Sequence, residues 1–140
     1  MAVHRERVTF DLDAEFDAAN LGESVDRAVA ESGICSGTVT VFSEGATAGI
    51  TTIEFESGCL ADLQRALDDI APANLDYAHN QKWGDGNGFS HLRSALVGPS
   101  VSAPVVDGEA AFTTWQQPIV INFDNRPRTR TVHITVTGET

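Results

Sequence analysis

Short stretches in which apolar and polar residues alternate dominate the second half of the chain, and they restrict the folds open to it. Residues 130–137 are the clearest case, because three β-branched apolar residues alternate with polar ones at the period of a half-buried strand. Asp107-Gly108 indicates a hairpin turn. Strands are predicted at 3–10, 37–43, 48–55, 101–106, 110–114, 119–123 and 130–137, with strands prevailing from Leu92 onward. Because the links between them are short, antiparallel pairing is favoured.

Helical periodicity is confined to two stretches. Apolar residues recur at i, i+4 and i+7 from Leu21, and Gly33 stands where a C-cap glycine would. A second helix is predicted with Ser57 as its N-cap, and it ends before Pro72. Strands outnumber helices, so we expect one α+β domain over residues 1–140, a mostly antiparallel β-sandwich that carries two or three helices.

The charge balance excludes two classes of partner. Twenty acidic residues face nine basic ones, for a net charge of -11 and a pI near 4.5, and Lys82 is the only lysine. No basic stripe exists to neutralise phosphates, so neither nucleic acid nor an anionic membrane surface is expected as a partner. This composition is typical of a halophilic protein, with a mildly acidic mesophilic protein as the alternative. Stabilisation by molar KCl would distinguish the two.

Two features predict a cytoplasmic protein. No apolar run approaches the roughly 18 residues that a membrane helix needs, and the first residues contain no apolar signal-peptide region. Cys35 and Cys59 lack the spacing of a metal site, and we expect them to be small buried hydrophobes without a disulfide.

The segment 76–91 gathers most of the polar chemistry of the chain. Its sixteen residues include two histidines, two aspartates, two asparagines and three glycines, and residues 74–89 have neither helical nor strand period. Glycines let an irregular loop fold back, so that His79 and His91 could converge. Imidazoles bind zinc and similar ions, and Asp85 could complete the set. A loop whose polar side chains only satisfy one another is the alternative.

Charged and aromatic residues elsewhere supply further candidates. Glu54 lies in an apolar strand, where it either faces inward and needs a partner or faces solvent. Arg126, Arg128 and Arg130 alternate, and on one face they would form an anion site unless carboxylates pair with them. Trp115 lies at a strand end, where a core position is the simplest expectation.

Five separate motifs, in order across nearly the whole chain, resemble the YjbQ-like family, the secondary thiamine-phosphate synthase family. They are Thr47-Ala-Gly-Ile-Thr51, Trp83-Gly-Asp-Gly-Asn-Gly-Phe-Ser-His-Leu92, Leu96-Val-Gly-Pro-Ser100, Thr114-Trp-Gln116 and Phe123-Asp-Asn-Arg-Pro-Arg128. The resemblance implies an α+β fold, a β-sandwich with helices packed on it, and assembly as a homotrimer.

The resemblance also implies a site. The family's metal-binding histidine cluster matches His79 and His91, with Asp85 between them, so a divalent metal is expected, zinc or alternatively magnesium. These three residues and Glu54, which matches an acidic family position, are expected to be catalytic. Contacts to a small phosphorylated substrate are assigned to Thr47, Asn87, Trp115, Gln116, Arg126 and Arg128.

This sequence departs from the family pattern around the predicted metal. Many relatives have a histidine where Gly45 stands and an asparagine where Ile53 stands, and those with this loop often have a histidine in place of Phe89. Thr113 stands where relatives usually have a glycine, immediately before Thr114-Trp-Gln116. Two or more potential ligands are therefore missing, and a carboxylate or a neighbouring subunit must supply the rest.

The activity that the resemblance implies is transfer of a pyrimidine methyl group from its diphosphate onto a thiazole phosphate, as in thiamine-phosphate synthesis. Two other functions stay open. One is a non-enzymatic trimeric protein that binds a metal or small ligand. The other is a metal-dependent hydrolase of a small phosphorylated compound.

Overall fold

Two antiparallel sheets, one of five strands and one of three, form the frame of the protein. The computed structural model describes all 140 residues. The elements are β1 (Ala2–Leu12), β2 (Asp17–Asn20), α1 (Gly22–Ser32), β3 (Ser36–Ser43), β4 (Ala48–Ile53), α2 (Ser57–Ile70), α3 (Ala78–Trp83), α4 (Gly88–Val97), β5 (Ser100–Val106), β6 (Glu109–Ala110), β7 (Gln117–Asn122) and β8 (Arg128–Glu139). The strand orders are β1-β8-β3-β5-β6 and β2-β7-β4. This confirms the predicted α+β class, with four helices instead of two or three.

The alternating pattern of β8 determines the main core. Val132, Ile134 and Val136 are completely buried, and they pack with β3 residues and with the apolar face of α1. Each such side chain contributes about 1.5–3 kcal/mol when it is removed from water. Gly33 has a φ of 68° and ends α1 as predicted, and the predicted turn at Asp107-Gly108 joins β5 to β6.

Strand β7, the central strand of the smaller sheet, is buried on both faces. Val120 packs in the main core, whereas Ile119 and Ile121 pack in a second cluster that includes Leu67 of α2. A strand buried on both faces is a continuous apolar run rather than an alternating one. Its C-terminal residue, Asn122, is thereby held in the interior beside the start of β4.

The segment predicted as an irregular loop contains α3 and the start of α4, so His79 and His91 both lie on helices. Strands prevail from Ser100 instead of from Leu92, because α4 continues to Val97. The hydrophobic pattern concealed α4, since Leu92 is exposed while the polar Arg93 is buried.

Burial of Arg93 is compensated by hydrogen bonds. Its guanidinium donates to the Asp68 carboxylate at 2.8 Å and to the Ala71 carbonyl at 3.0 Å, and it lies over the Phe89 ring. A buried charge with a carboxylate partner is a common way to place an arginine inside a fold. Such a helix has a polar inner face, which periodicity of apolar residues does not detect.

Strand and cap positions differ from the predictions at three points. Strand β4 ends at Ile53 instead of residue 55, because its partner β7 begins at Gln117, opposite Ile53. The strand predicted at 110–114 is reduced to β6, which pairs only with the last two residues of β5. The N-cap of α2 is Glu56 instead of Ser57, because the Glu56 carboxylate accepts the free backbone N–H groups of the first turn.

The cysteines are both free, but neither is buried as expected, since Cys59 is half-buried and Cys35 is exposed. Cys35 follows Ile34, whose side chain takes the core position at the start of β3. No helix has the length and apolar composition needed to cross a bilayer.

Candidate functional site

Asp124, just after β7, is the centre of a buried polar network. Its carboxylate is 1% exposed and accepts hydrogen bonds from Thr47 Oγ1 at 3.0 Å, Asn87 Nδ2 at 3.3 Å and Arg128 Nε at 3.0 Å. The backbone N–H of Asn125 donates at 2.8 Å. Burial opposes ionisation of this carboxyl, but the four hydrogen bonds outweigh it and lower its pKa. The structure thus maintains an ionised carboxylate in the interior.

Arg130 lies beside this network and is held by neutral oxygens. Its Nε and Nη2 donate to Asn122 Oδ1 at 3.2 and 2.6 Å, and Nη2 also donates to Thr47 Oγ1 at 2.6 Å. The residue is 6% exposed. Burial lowers the pKa of its guanidinium, although Asp124 opposes this, and an arginine stays protonated at neutral pH.

A pocket opens over this network, and we call it the Asp124 pocket. Its volume is about 380 Å³. Its walls come from the loop before β4, the loop before α4, α4 itself, and the β7–β8 turn with the start of β8. The lining residues are Gly45, Ala46, Thr47, Asp85, Asn87, His91, Asp124, Arg128 and Arg130. Polar and charged side chains therefore dominate it, in contrast to an ordinary apolar ligand pocket.

The two predicted histidines are neighbours, as expected. The rings of His79 on α3 and His91 on α4 have their centroids 4.4 Å apart. His79 Nδ1 is buried without a hydrogen bond, and it lies 3.5 Å from the Asp85 carboxylate. Gly84 and Gly86 adopt positive φ around Asp85, which lets the chain reverse between the two helices.

These side chains do not form a complete ligand set for a metal. One set of three histidine, cysteine or acidic residues has its ligand atoms within 4.8 Å of one another, and it is His4, Glu6 and Glu31. His79, His91 and Asp85 therefore do not converge on one point as closely as that. No donor is available at Gly45. A metal at these histidines stays a prediction.

The remaining predicted residues divide between the pocket and the opposite end of the smaller sheet. Thr47, Asn87 and Arg128 line the Asp124 pocket as predicted, whereas the side chain of Arg126 is exposed and does not. Arg130 belongs to the pocket, and only the alternation of the three arginines indicated it. Asn122 had no sequence signal of its own, and Asp124 appeared only within the motif Phe123-Asp-Asn-Arg-Pro-Arg128, without an assigned role.

Glu54, Trp115 and Gln116 lie at the other end of the β4–β7 pair, which we call the Glu54 end. Glu54 follows the last residue of β4, seven residues beyond Thr47, which corresponds to roughly 23 Å of extended strand. Trp115 is 71% exposed, so the expectation of a core position was wrong. Its loop lies outside the sheet, between β6 and β7, where no second layer covers it.

Comparison with known proteins places the chain in a family. A model of the family described as UPF0047 protein YjbQ-like matches residues 6–139. The chain belongs to this family. A UPF0047 protein of Methanothermobacter thermautotrophicus is 31% identical over 139 residues, which are 99% of this chain and 95% of the relative. The UPF0047 protein YugU of Bacillus subtilis is 31% identical over 85% of this chain and 88% of its own length.

Solved structures of the YjbQ-like family have the same fold. A YbjQ-like protein of unknown function from Sulfolobus solfataricus has a TM-score of 0.92 and 24% identity, with 98% of each chain covered. An uncharacterised family protein from Clostridium acetobutylicum has a TM-score of 0.85 and 28% identity, with 94% of this chain and 99% of the other covered. The sandwich and its helices are thus those of the family.

Proposed function

We propose that this YjbQ-like protein is a transferase of the thiamine-phosphate synthase type, which joins a pyrimidine methyl diphosphate to a thiazole phosphate. The observation that carries the proposal is the Asp124 pocket, in which two guanidinium groups, those of Arg128 and Arg130, lie beside the imidazole of His91. Arginine is well suited to phosphate because its planar fork matches two phosphate oxygens. The volume of about 380 Å³ suits a small phosphorylated compound.

The reaction requires little acid or base chemistry from the protein. The bond between the pyrimidine methylene carbon and its diphosphate oxygen breaks, and the pair of electrons leaves with pyrophosphate. The neutral ring nitrogen of the thiazole then donates its lone pair to the carbocation-like carbon and becomes a thiazolium. No proton is transferred in this step, so catalysis is positional and electrostatic. Arg128 and Arg130 would neutralise the charge that develops on the leaving group.

A divalent metal, zinc or magnesium, would add positive charge near the leaving group. His79, His91 and Asp85 are the residues that would hold it. Elemental analysis of the purified protein tests this part separately, since absence of bound metal and of zinc uptake would remove the metal without affecting the arginines.

We also propose that the protein acts as a homotrimer in the cytoplasm. A neighbouring copy could bring its Glu54, Trp115 and Gln116 to the Asp124 pocket, which would explain why residues assigned to one site lie far apart within one chain. The exposed indole of Trp115 supports an interface there. The free thiols of Cys35 and Cys59 are consistent with a reducing compartment.

The direct test is a product assay with purified protein. The two phosphorylated precursors are incubated with wild type, Arg128→Met and His91→Ala, and thiamine phosphate is quantified. We expect product from wild type and at least a tenfold lower rate from Arg128→Met, since one charge-assisted hydrogen bond is worth about 1.5–3 kcal/mol. Arg65→Met, a change at an exposed arginine of α2, is the matched control. Absence of product with wild type, or simple hydrolysis of either precursor, would contradict the transferase.

A further inference from the structure

Arg130 differs from the other buried arginine of the chain in the kind of partner that it has. Arg93 is 2% exposed and forms an ion pair with Asp68 at 2.8 Å. Arg130 is 6% exposed, yet its hydrogen bonds go to the amide oxygen of Asn122 and the hydroxyl of Thr47. A buried charge ordinarily requires a charged partner as well as hydrogen bonds. Arg130 has the hydrogen bonds and no carboxylate in contact.

The remaining nitrogen of this guanidinium, Nη1, lies beside Gly45. Nη1 makes no hydrogen bond, and it would lie 2.7 Å from a Cβ placed on Gly45. Both residues line the pocket. The glycine therefore leaves open the space beside Nη1, and a side chain at that position would cover it.

The two carboxylates that line the pocket have other partners. Asp124 accepts from Arg128 and reaches Arg130 only through the hydroxyl of Thr47, which accepts from Nη2 and donates to Asp124. Asp85 lies 3.5 Å from His79 Nδ1. Neither carboxylate is in contact with Arg130, so its charge is available to a ligand.

We propose that Arg130 Nη1 is the anchor of an oxyanion subsite for phosphate or pyrophosphate groups, and that this subsite binds its ligand without a metal. The subsite rests on the proposed function for its biological substrate, but binding itself does not require the transferase reaction. The physical reason is that an oxyanion would supply the direct ionic contact that Arg130 lacks, since the charge of Asp124 acts on it without touching it. Arg128, 40% exposed at the mouth of the same pocket, would contact the other side of the anion.

Asn122 is the positioning residue of this subsite. Its Nδ2 donates to the carbonyl oxygens of Asp13 at 2.8 Å and Arg126 at 3.1 Å, so its Oδ1 is fixed toward Arg130. The amide therefore holds the guanidinium in place without neutralising it. A carboxylate at position 122 could accept the same hydrogen bonds from Arg130, but it would also neutralise the charge of the guanidinium.

The test is calorimetric titration of inorganic pyrophosphate and inorganic phosphate into full-length protein stripped of metal with EDTA. We expect wild type to bind pyrophosphate and Arg130→Lys to bind it about 10- to 100-fold more weakly, because lysine keeps the charge but cannot present a second nitrogen to the pocket. Asn122→Asp should weaken binding to a similar degree, and Arg65→Met should not change it. Thermal unfolding establishes that each variant is folded.

Three results would overturn the inference: Arg130→Lys binding as wild type, folded Asn122→Asp binding as wild type, or wild-type binding only after zinc is added. If Asn122→Asp does not fold, Arg130→Lys decides, since its ammonium can still donate to Thr47 and Asn122. Together with the product assay, the titration also separates the subsite from the transferase. Pyrophosphate binding without product would refute the transferase alone, whereas product formation with unchanged binding by Arg130→Lys would refute the subsite alone.

Discussion

The two ends of the β4–β7 pair contain residues assigned to one site, but they differ in how the fold treats them. At the Asp124 pocket, Thr47, Asn122 and Asp124 are buried and joined by hydrogen bonds. At the Glu54 end, Trp115 is largely exposed, and Glu54 is in contact with a single thiol, that of Cys59. The first end is held together by hydrogen bonds within one chain. The second end presents side chains that are free to contact another molecule.

This contrast predicts that the first end contributes mainly to the stability of the folded chain and the second end mainly to association with another molecule. A buried network is costly to break because its members cannot be resatisfied by water. An exposed aromatic side chain contributes little to the folded monomer, but it can dominate an interface. Substitutions at the two ends should therefore affect different measurements.

The largest effect is expected at Asp124. Asp124→Ala leaves the buried donors of Thr47 and Asn87 without an acceptor and Arg128 without its partner, so we expect a loss of about 3–5 kcal/mol in the free energy of unfolding. Glu54→Ala, the same kind of truncation at the other end, should cost less than about 1 kcal/mol. Urea unfolding of both variants measures the two values. Similar losses would remove the distinction between the ends.

The pH dependence of stability should come from the Asp124 pocket as well. The pKa of Asp124 is lowered in the folded protein relative to about 3.9 in an unfolded chain. Its carboxylate therefore stabilises the fold fully above about pH 4, and this stabilisation is lost as the pH falls through the folded pKa. Asp124→Asn should shrink the difference in unfolding free energy between about pH 6 and pH 3. An unchanged difference would mean that other carboxyl groups cause the loss of stability at acid pH.

The sequence allowed much of the sheet frame to be predicted, because alternation in β8 and the continuous apolar run of β7 are direct consequences of burial on one face or two. The same reasoning missed α4, where Arg93 is buried against Asp68 while Leu92 is exposed. Apolar periodicity detects a helix only when its buried face is apolar, whereas α4 buries the charged side chain of Arg93.

Part of the candidate site could also be predicted from the sequence. The histidine loop could be found because glycines and imidazoles are concentrated there. The roles of Asn122 and Asp124 in the network could not be found, since they arise from β7 and β8 converging on Thr47 across 75 or more residues of chain. An ordinary Asn or Asp after a strand has the same appearance whether it is a solvated turn or the centre of a network.

A smaller effect on the monomer, but a measurable effect on association, is expected at Trp115. Trp115→Ala should change the unfolding free energy by less than about 1 kcal/mol, since its side chain is mostly in water. If the proposed trimer uses this surface, its dissociation constant should rise at least tenfold, as for an interfacial tryptophan worth about 2 kcal/mol. Light scattering over a concentration series measures this. Trp83→Ala, at a tryptophan that is 67% exposed, is the matched control. Equal behaviour of the two variants would place the interface elsewhere.

The smallest effect concerns the hydrogen bond between the thiol of Cys59 and the Glu54 carboxylate. The thiol of Cys59 lies 3.8 Å from the Glu54 carboxylate, and burial together with the charges of Glu56 and Glu54 raises the pKa of that thiol. Glu54→Gln removes one of these charges, so the thiolate fraction at neutral pH should increase, and the alkylation rate of Cys59 should rise with it. The rate of alkylation by iodoacetamide, followed at each cysteine by mass spectrometry, measures the change. Cys35, exposed and remote in the sequence, is the internal reference.

An unchanged ratio of the two rates would show that Glu54 does not act on Cys59 and faces solvent. A raised ratio would show that a carboxylate at this end acts on its nearest neighbour, while the carboxylate of Asp124 acts through four partners at once.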